Sequence, residues 1–340
     1  MLNKEPTIRD VAALAGVSVA TASRVMNGHA ATSEESRARV QAAAEELNYS
    51  PNTLARSLRS AQRQVVGLLV SDIRNPFFSE LAYVIQLELW QRGHSMLLGN
   101  ASEREQLQDQ YLAALRTQRV DGVIAAPQGD RSAELERLAQ TGVPLVFVDR
   151  TLPSPDVPVV NSDPRPGIRQ TIRHLSQLGH RRIGFVCGPT NTSTGRERLA
   201  VYRAAACEIL GEGSALDRPA GYDAQLCSRS VDELIEEGCT ALIFGYSPNA
   251  VSALQHLADR EIRVPEDLSV VSFDEIPYFE ISVPRVSIVR QGIVEMGRLA
   301  VSTLFAVMGG DRPDSIRVPT ELVVRDSTGP APHTPQEESS

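Results

Sequence analysis

Apolar positions along this chain follow two rhythms, and the change between them falls near residue 60. Before it they recur at helical spacing in short bursts. Val11, Leu14 and Ala15 lie on one predicted helix face, opened by Thr7 and Asp10 at the spacing of a capping box. Gly16 supplies the positive-φ turn, and Ser18 is placed to cap a second helix running through Met26, with Val25 and Ala22 turned inward. Thr32 with Glu35 predicts another capping box for a third helix ending near Leu47, its stripe being Val40, Ala44 and Leu47. Asn48-Tyr49-Ser50-Pro51-Asn52 breaks that helix. Thr53 to Arg59 is helical in propensity but only two turns long, too short to hold in water without a partner such as DNA or a second chain.

After a polar linker the rhythm becomes strand, helix, strand. Continuous apolar runs begin at Val65 (VVGLLV), Ser95 (SMLLGN), Val120 (VDGVIAA) and Val143 (VPLVFVD), with amphipathic helical stretches at 77–92, 104–118 and 131–140 between them. The pattern restarts with RRIGFVCG at Arg181, ALIFG at Ala241 and LSVVSFD at Leu268. Such runs belong to parallel sheets covered on both faces, and two successive sets predict two doubly wound lobes with a cleft between them. In such sheets ligands sit beyond the carboxyl ends of the strands. That rule singles out 75–78, Asn100, Asp149 with Arg150, Asn161, Tyr246 and Asp274. By periodicity alone the lobes fit an enzyme, a sugar-binding receptor or a sensor.

Two helices joined by a short turn containing glycine form the helix-turn-helix unit, whose second helix enters the major groove of DNA. Here that helix leaves Ser18, Val19, Ala20, Thr21, Ser23 and Arg24 near its outer face. Small side chains at 19 and 20 permit close approach to thymine methyls, and Arg24 has the fork for a bidentate bond to guanine. The same spacing also fits an ordinary small helical bundle.

The net charge of −8 excludes a basic nucleic-acid coat, but its distribution is uneven. Residues 1–60 carry +1 and the remainder −9, which suits a protein that touches DNA at one end only. Cys187, Cys207, Cys227 and Cys239 show no metal-ligand spacing and read as reduced, mostly buried thiols. No apolar leader or membrane-length run is present, so a cytoplasmic chain without membrane contact is expected. No cofactor or metal is expected, and no nucleophile-base-acid set or phosphate-cradling glycine motif suggests catalysis.

The segments GVSVATASRVMNG, EELNYSPN and ARSLR resemble the DNA-binding head and hinge of the lactose-repressor/GalR family of bacterial transcription regulators. RVDGVI, PLVFVDR, HLSQLGHRRIGFVCGP, RERLAVYRAA, VPEDLSVVSFD and ELVVRDST extend the resemblance through the rest of the chain, from Thr7 to Thr328. It implies an all-α helix-turn-helix head (1–50), a hinge helix and linker (51–63), and a periplasmic-binding-protein-like α/β core of two doubly wound lobes (64–325). Three strands would cross the interlobe hinge. The N-lobe would take about 64–160 and 292–315, the C-lobe about 161–291 and 316–325, and a disordered tail would occupy 326–340. The implied DNA contacts are Thr7, Ser18, Val19, Ala20, Thr21, Ser23, Arg24, Asn27, Asn52, Ala55 and Leu58. Leu58 would be the minor-groove wedge, at an unstacking cost of a few kcal/mol that is offset by contacts to the bent duplex; without the resemblance it reads as a core residue.

The effector set implied by the resemblance is Phe77, Phe78, Asp149, Arg198, Tyr222, Tyr246, Asp274 and Gln291. Two carboxylates and a guanidinium grip vicinal hydroxyls through charge-assisted bonds, while a phenylalanine stacks on the apolar face of a ring. The competing readings are a helix cap or interlobe ion pair for Asp274 and a simple pair with Arg150 for Asp149. His174 and His180 read as structural. The chain departs from the family at Gly245-Tyr246-Ser247-Pro248, where Asn-Asp is usual, and at Ser272 in place of Gly. Ser247 is expected to cap the following helix. The sequence thus reads as a repressor that binds a pseudo-palindromic operator as a homodimer under control of a small polar, sugar-like effector. A cytoplasmic receptor or enzyme on the same scaffold is the alternative.

Overall fold

The computed structural model describes residues 6–26, 32–47, 49, 64–153 and 157–332. They form two compact units that divide between residues 63 and 64.

The head contains α1 (Ile8–Ala15), α2 (Val19–Met26) and α3 (Glu34–Glu46). Thr7 and Asp10 close the capping box: the Asp10 carboxylate accepts from the Thr7 backbone at 2.8 Å and from its hydroxyl at 2.6 Å. The Ser18 hydroxyl accepts from the Thr21 N–H at 3.1 Å. Two expectations shift. The N-cap of α3 is Ser33, one residue later than expected, and its hydroxyl accepts from the Ser36 N–H. Leu14 is 48% exposed, and Ala12 takes the inward place beside Val11 and Ala15. Among the described residues the buried core of the head is three valines and five alanines, so the helices approach closely on little apolar volume.

That small core leans on one polar clamp. Gly16 ends α1 at φ 61°, and the Arg39 guanidinium from α3 donates to the carbonyls of Ala15 and Gly16. A Cβ on Gly16 would lie 2.4 Å from Arg39 Nη2. Gly16→Ala therefore combines left-handed backbone strain with loss of the clamp, a cost of about 1–2 kcal/mol. In the full chain, amide exchange across 8–26 is expected to accelerate about 5- to 30-fold while exchange in the core stays constant. Unchanged exchange in the head would show that Arg39 does not brace the turn.

The core alternates strands and helices: β1 (Val65–Val70), α4 (Pro76–Gln91), β2 (Ser95–Asn100), α5 (Glu105–Gln118), β3 (Gly122–Ala125), α6 (Ala133–Gln140), β4 (Leu145–Val148) and β5 (Val159–Asp163). It continues with α7 (Pro164–Gln177), β6 (Ile183–Cys187), α8 (Ser193–Leu210), β7 (Leu216–Pro219), α9 (Ala224–Glu236), β8 (Ala241–Phe244), α10 (Ser247–Asp259), β9 (Ser269–Phe273), α11 (Pro277–Ile281) and β10 (Ser287–Arg290). The last elements are α12 (Ile293–Met308), β11 (Ile316–Pro319) and β12 (Glu321–Val323). Two six-stranded sheets result, ordered β11-β5-β4-β3-β1-β2 and β12-β10-β9-β8-β6-β7. Every pairing is parallel except β10 with β12. Successive strand residues feed opposite layers: Leu68 and Val70 pack with α4 and α12, while Leu69 packs towards α5 and α6. Burial on both faces is why these strands read as unbroken apolar runs.

The chain passes between the sheets three times, after β5, after β10 and between β11 and β12. This refines the expected lobe limits. Residues 161–163 finish β5 in the first sheet, and the run 316–325 expected wholly in the C-lobe splits, Ile316–Pro319 pairing with β5 and Glu321–Val323 with β10. Thr320 fixes the break: its hydroxyl donates to the Asp163 carbonyl at 2.7 Å and accepts from the Gly167 N–H at 3.1 Å.

The expected disorder from residue 326 is also corrected through residue 332. Asp326 pairs with Arg285, and the buried Ser327 hydroxyl bonds the Val270 carbonyl at 2.6 Å and the Ser287 N–H at 2.7 Å. The Ala331 N–H donates to Leu178. His180 is held by Thr240 and by the Gly329 carbonyl, and His174 by Thr328, as structural residues.

Candidate functional site

A cleft opens where the carboxyl ends of both sheets face each other, with about 330 Å³ of empty space including its open mouth. Phe77 and Phe78 enter from the first turn of α4, where the Asn75 side chain caps the helix at 3.1 Å. Their rings meet edge to face at 5.1 Å, and both line the cleft while their backs join the core.

Asp149 leaves β4 at φ 60° and Asp274 leaves β9 at φ 70°, so two carboxylates from two lobes sit on left-handed backbone. A non-glycine residue held there is strained unless its surroundings fix it, and such outliers gather at binding sites. Asp274 accepts from Ser247 Oγ at 3.1 Å and from Gln291 Nε2. Gln291 in turn accepts from Ser162 Oγ at 2.5 Å, across the interlobe crossing. Arg198, on α8, donates to the Gly245 carbonyl at 2.9 Å and stacks 4.2 Å above the Phe273 ring.

Burial pushes the Asp149 carboxyl up to about 6, with Asp274 and Glu103 adding to the effect and Arg198 and Arg150 opposing it. Between about pH 4 and 6 the folded chain therefore holds a proton that the unfolded chain has released, and stability falls as pH rises through that window. The contribution is about 2–3 kcal/mol. Asp149→Asn is expected to flatten this part of the stability profile, measured by denaturant unfolding from pH 4 to 7. Parallel profiles for the two proteins would show that Asp149 carries no such proton.

Sequence reasoning missed part of the lining. Pro189, Thr192, Thr194 and Gly195 follow β6 and begin α8, so the strand-end rule applied to RRIGFVCG points to them. A Cβ on Gly195 would lie 2.0 Å from the Pro189 carbonyl oxygen, so the close approach requires glycine. Arg150 also lines the cleft, and its main partner is Glu103 at 2.7 and 3.0 Å; its Nε stands 3.8 Å from Asp149. Tyr222 is not among the lining residues. Its hydroxyl spans to the other lobe instead, bonding Glu103 and Gln128.

On the head, Ser18, Val19, Ala20 and Arg24 form an exposed row along α2, with Thr21 and Ser23 half-buried beside it and Thr7 exposed. Asn27, Asn52, Ala55 and Leu58 lie outside the described residues.

Residues 7–52 match the model of bacterial regulatory proteins of the lacI family, and residues 172–328 match that of a periplasmic binding protein-like domain. The chain is 32% identical to the ribose operon repressor of Bacillus subtilis, over 95% of this chain and 98% of that one. This chain belongs to the LacI family of bacterial transcription regulators. A solved lac repressor dimer bound to operator and the anti-inducer ONPF is similar over 96% of this chain and all of that one, at 28% identity and a TM-score of 0.84. A LacI-family regulator from Enterococcus faecium with bound ribose covers 78% of this chain and 99% of its own, at 26% identity and a TM-score of 0.70.

Within this LacI-family core, the departure after β8 has a structural outcome. Tyr246 occupies the N-cap position of α10 without a side-chain cap bond and lines the cleft. Ser247 is already the first helical residue, so it does not cap as the sequence suggested; its buried hydroxyl serves Asp274 instead. Ser272 bonds the Phe273 carbonyl at 2.8 Å beneath that corner. Among the described residues no group of three or more His, Cys, Asp or Glu is placed to hold a metal, and no helix is long and apolar enough to cross a membrane.

Proposed function

We propose that this regulator is a repressor that binds a pseudo-palindromic operator as a symmetric homodimer. In this reading a sugar or sugar derivative in the cleft controls whether the hinge segments meet over the minor groove. The observation that carries the effector half is the convergence of Asp149, Arg198 and Asp274 from both lobes on one cleft beside two phenylalanine rings. Asp149 Oδ1 and Arg150 Nε are buried there without a hydrogen-bond partner among the described residues. An orphan acceptor and an orphan donor together suit a hydroxyl, which donates to one and accepts from the other. The reading is of a binding protein without turnover, acting in the cytoplasm where the operator lies. The eleven DNA positions and seven of the eight effector positions inferred from the sequence remain its proposed contacts, Tyr222 being moved from ligand contact to lobe contact.

Exposed apolar side chains support the dimer, with a second copy of this chain as their occupant. Trp90 is 77% exposed on α4 near Tyr83 and Leu87, and Leu97 and Leu98 sit on the edge strand β2, which among the described residues pairs only with β1. On the other lobe Ile281 and Val283 are 79% and 98% exposed beside Tyr278. Apolar residues at an open sheet edge call for cover, and the lac repressor named above is a dimer on its operator. The test is selection of bound duplexes from random sequence by the full chain, with light scattering in parallel. Inverted repeats and a dimer mass are expected. Single unpaired half-sites or a monomer would refute the symmetric reading.

A further inference from the structure

The Tyr222 hydroxyl is saturated by the opposite lobe, donating to Glu103 at 2.7 Å and accepting from Gln128 Nε2 at 2.8 Å. The same two side chains hold Arg150. Both Glu103 oxygens accept from its guanidinium, and Gln128 Oε1 accepts from Nη1. Gln128 is itself fixed, its N–H donating to Gln108 at 2.7 Å. Glu103 stands on left-handed backbone at φ 56°, a cost that its surroundings must offset. Arg150 is 3% exposed, lies 5.3 Å over the Phe78 ring, and its Nε, which has no hydrogen-bond partner among the described residues, stands 3.8 Å from Asp149 Oδ2. From the Tyr222 side, its ring meets that of Tyr246, another lining residue, edge to face at 5.8 Å. One connected set of side chains thus runs from the cleft wall of one lobe, through Arg150, to the cleft wall of the other.

We propose that Tyr222 is an interlobe latch and the positioning residue for Arg150, holding the lobes closed and, through Glu103 and Gln128, the Arg150 guanidinium in place at the cleft wall. Closure and the seating of Arg150 are then one event: when the lobes part, Glu103 loses its third donor and Gln128 its acceptor, and Arg150 loses part of the frame that orients it. The chemistry is specific to a phenol. Its oxygen donates once and accepts once, matching one carboxylate and one amide. Phenylalanine keeps the ring packing on Tyr246 and removes only the latch. The proposal takes from the functional reading only that the cleft receives a ligand, and the latch is tested without one, so that its failure is distinct from failure of the effector assignment.

The experiment measures the interlobe distance in the full chain with no sugar added. Spin labels are placed at Gln110→Cys on α5 and Arg229→Cys on α9, both exposed, in a Cys207→Ser background. Excess unlabelled chain is added so that each distance arises within one chain. Wild type is expected to give one dominant short distance. Tyr222→Phe should raise the open population about 5- to 30-fold, the size expected for losing one hydrogen bond to a carboxylate and one from an amide. Glu103→Gln should act likewise, and the double variant should open no further than either single one, because both act through one linkage. A Tyr222→Phe distribution superimposable on wild type, additive effects of the two substitutions, or a wild type lacking the short distance would each overturn the latch.

Discussion

Raising salt from 50 to 200 mM is expected to weaken operator binding by about 10³- to 10⁵-fold, because a head that neutralises roughly 6–10 phosphates releases their counterions on binding. The molecule as a whole carries −8, so this dependence must come from the head, where residues 1–60 are nearly neutral and the cations are local. Arg24 separates base reading from phosphate contact. In the free head its Nε donates to the Ala20 carbonyl at 3.3 Å, a weak bond along its own helix that groove entry can replace. Arg24→Ala should cost about 1–3 kcal/mol and relax preference at one base pair if the guanidinium reads guanine. The measurement is a salt titration on the selected operator and on duplexes varied at single positions. A flat titration would remove the head from the binding reaction, and an equal loss on every duplex would reduce Arg24 to a phosphate contact.

Much of this architecture is legible in the sequence because parallel strands buried on both faces leave continuous apolar runs such as VVGLLV and ALIF. The strand-end rule then points directly to Asp149, Tyr246 and Asp274, all of which face the cleft. What escapes is set by contacts between residues distant in the chain. Arg150 reads locally as a partner for Asp149, yet Glu103, 47 residues earlier, holds it. Tyr222 reads as a loop residue at the cleft, but the closed arrangement of the lobes hands its hydroxyl to Glu103, 119 residues away. Ser247 reads as a helix cap because serine before proline usually is one; a shift of a single residue instead aims its hydroxyl at Asp274. Register errors of this size alter a hydrogen-bond partner without altering the fold.

Replacing Arg198 or Asp274 with alanine is expected to abolish the effector response while leaving effector-free operator binding intact. Both side chains are buried and already organised: Arg198 by the Gly245 carbonyl and the Phe273 ring, Asp274 by Ser247 and Gln291. Truncating either strands the polar groups left behind, and losing one partner of such a buried, charged set costs about 2–5 kcal/mol of ligand affinity. That is about 30- to 5,000-fold, enough to carry a micromolar effector out of its working range. Operator binding should survive because the head is a separate compact unit with its own small core, which neither substitution touches. Tyr246→Asn should behave differently. It exchanges a ring face and one hydroxyl at the cleft for an amide, and so should shift preference among sugars rather than erase binding. The deciding measurement is operator affinity of each variant with and without a sugar to which wild type responds. A normal response from both Arg198→Ala and Asp274→Ala would mean that the two residues brace the lobes and that the effector is held elsewhere.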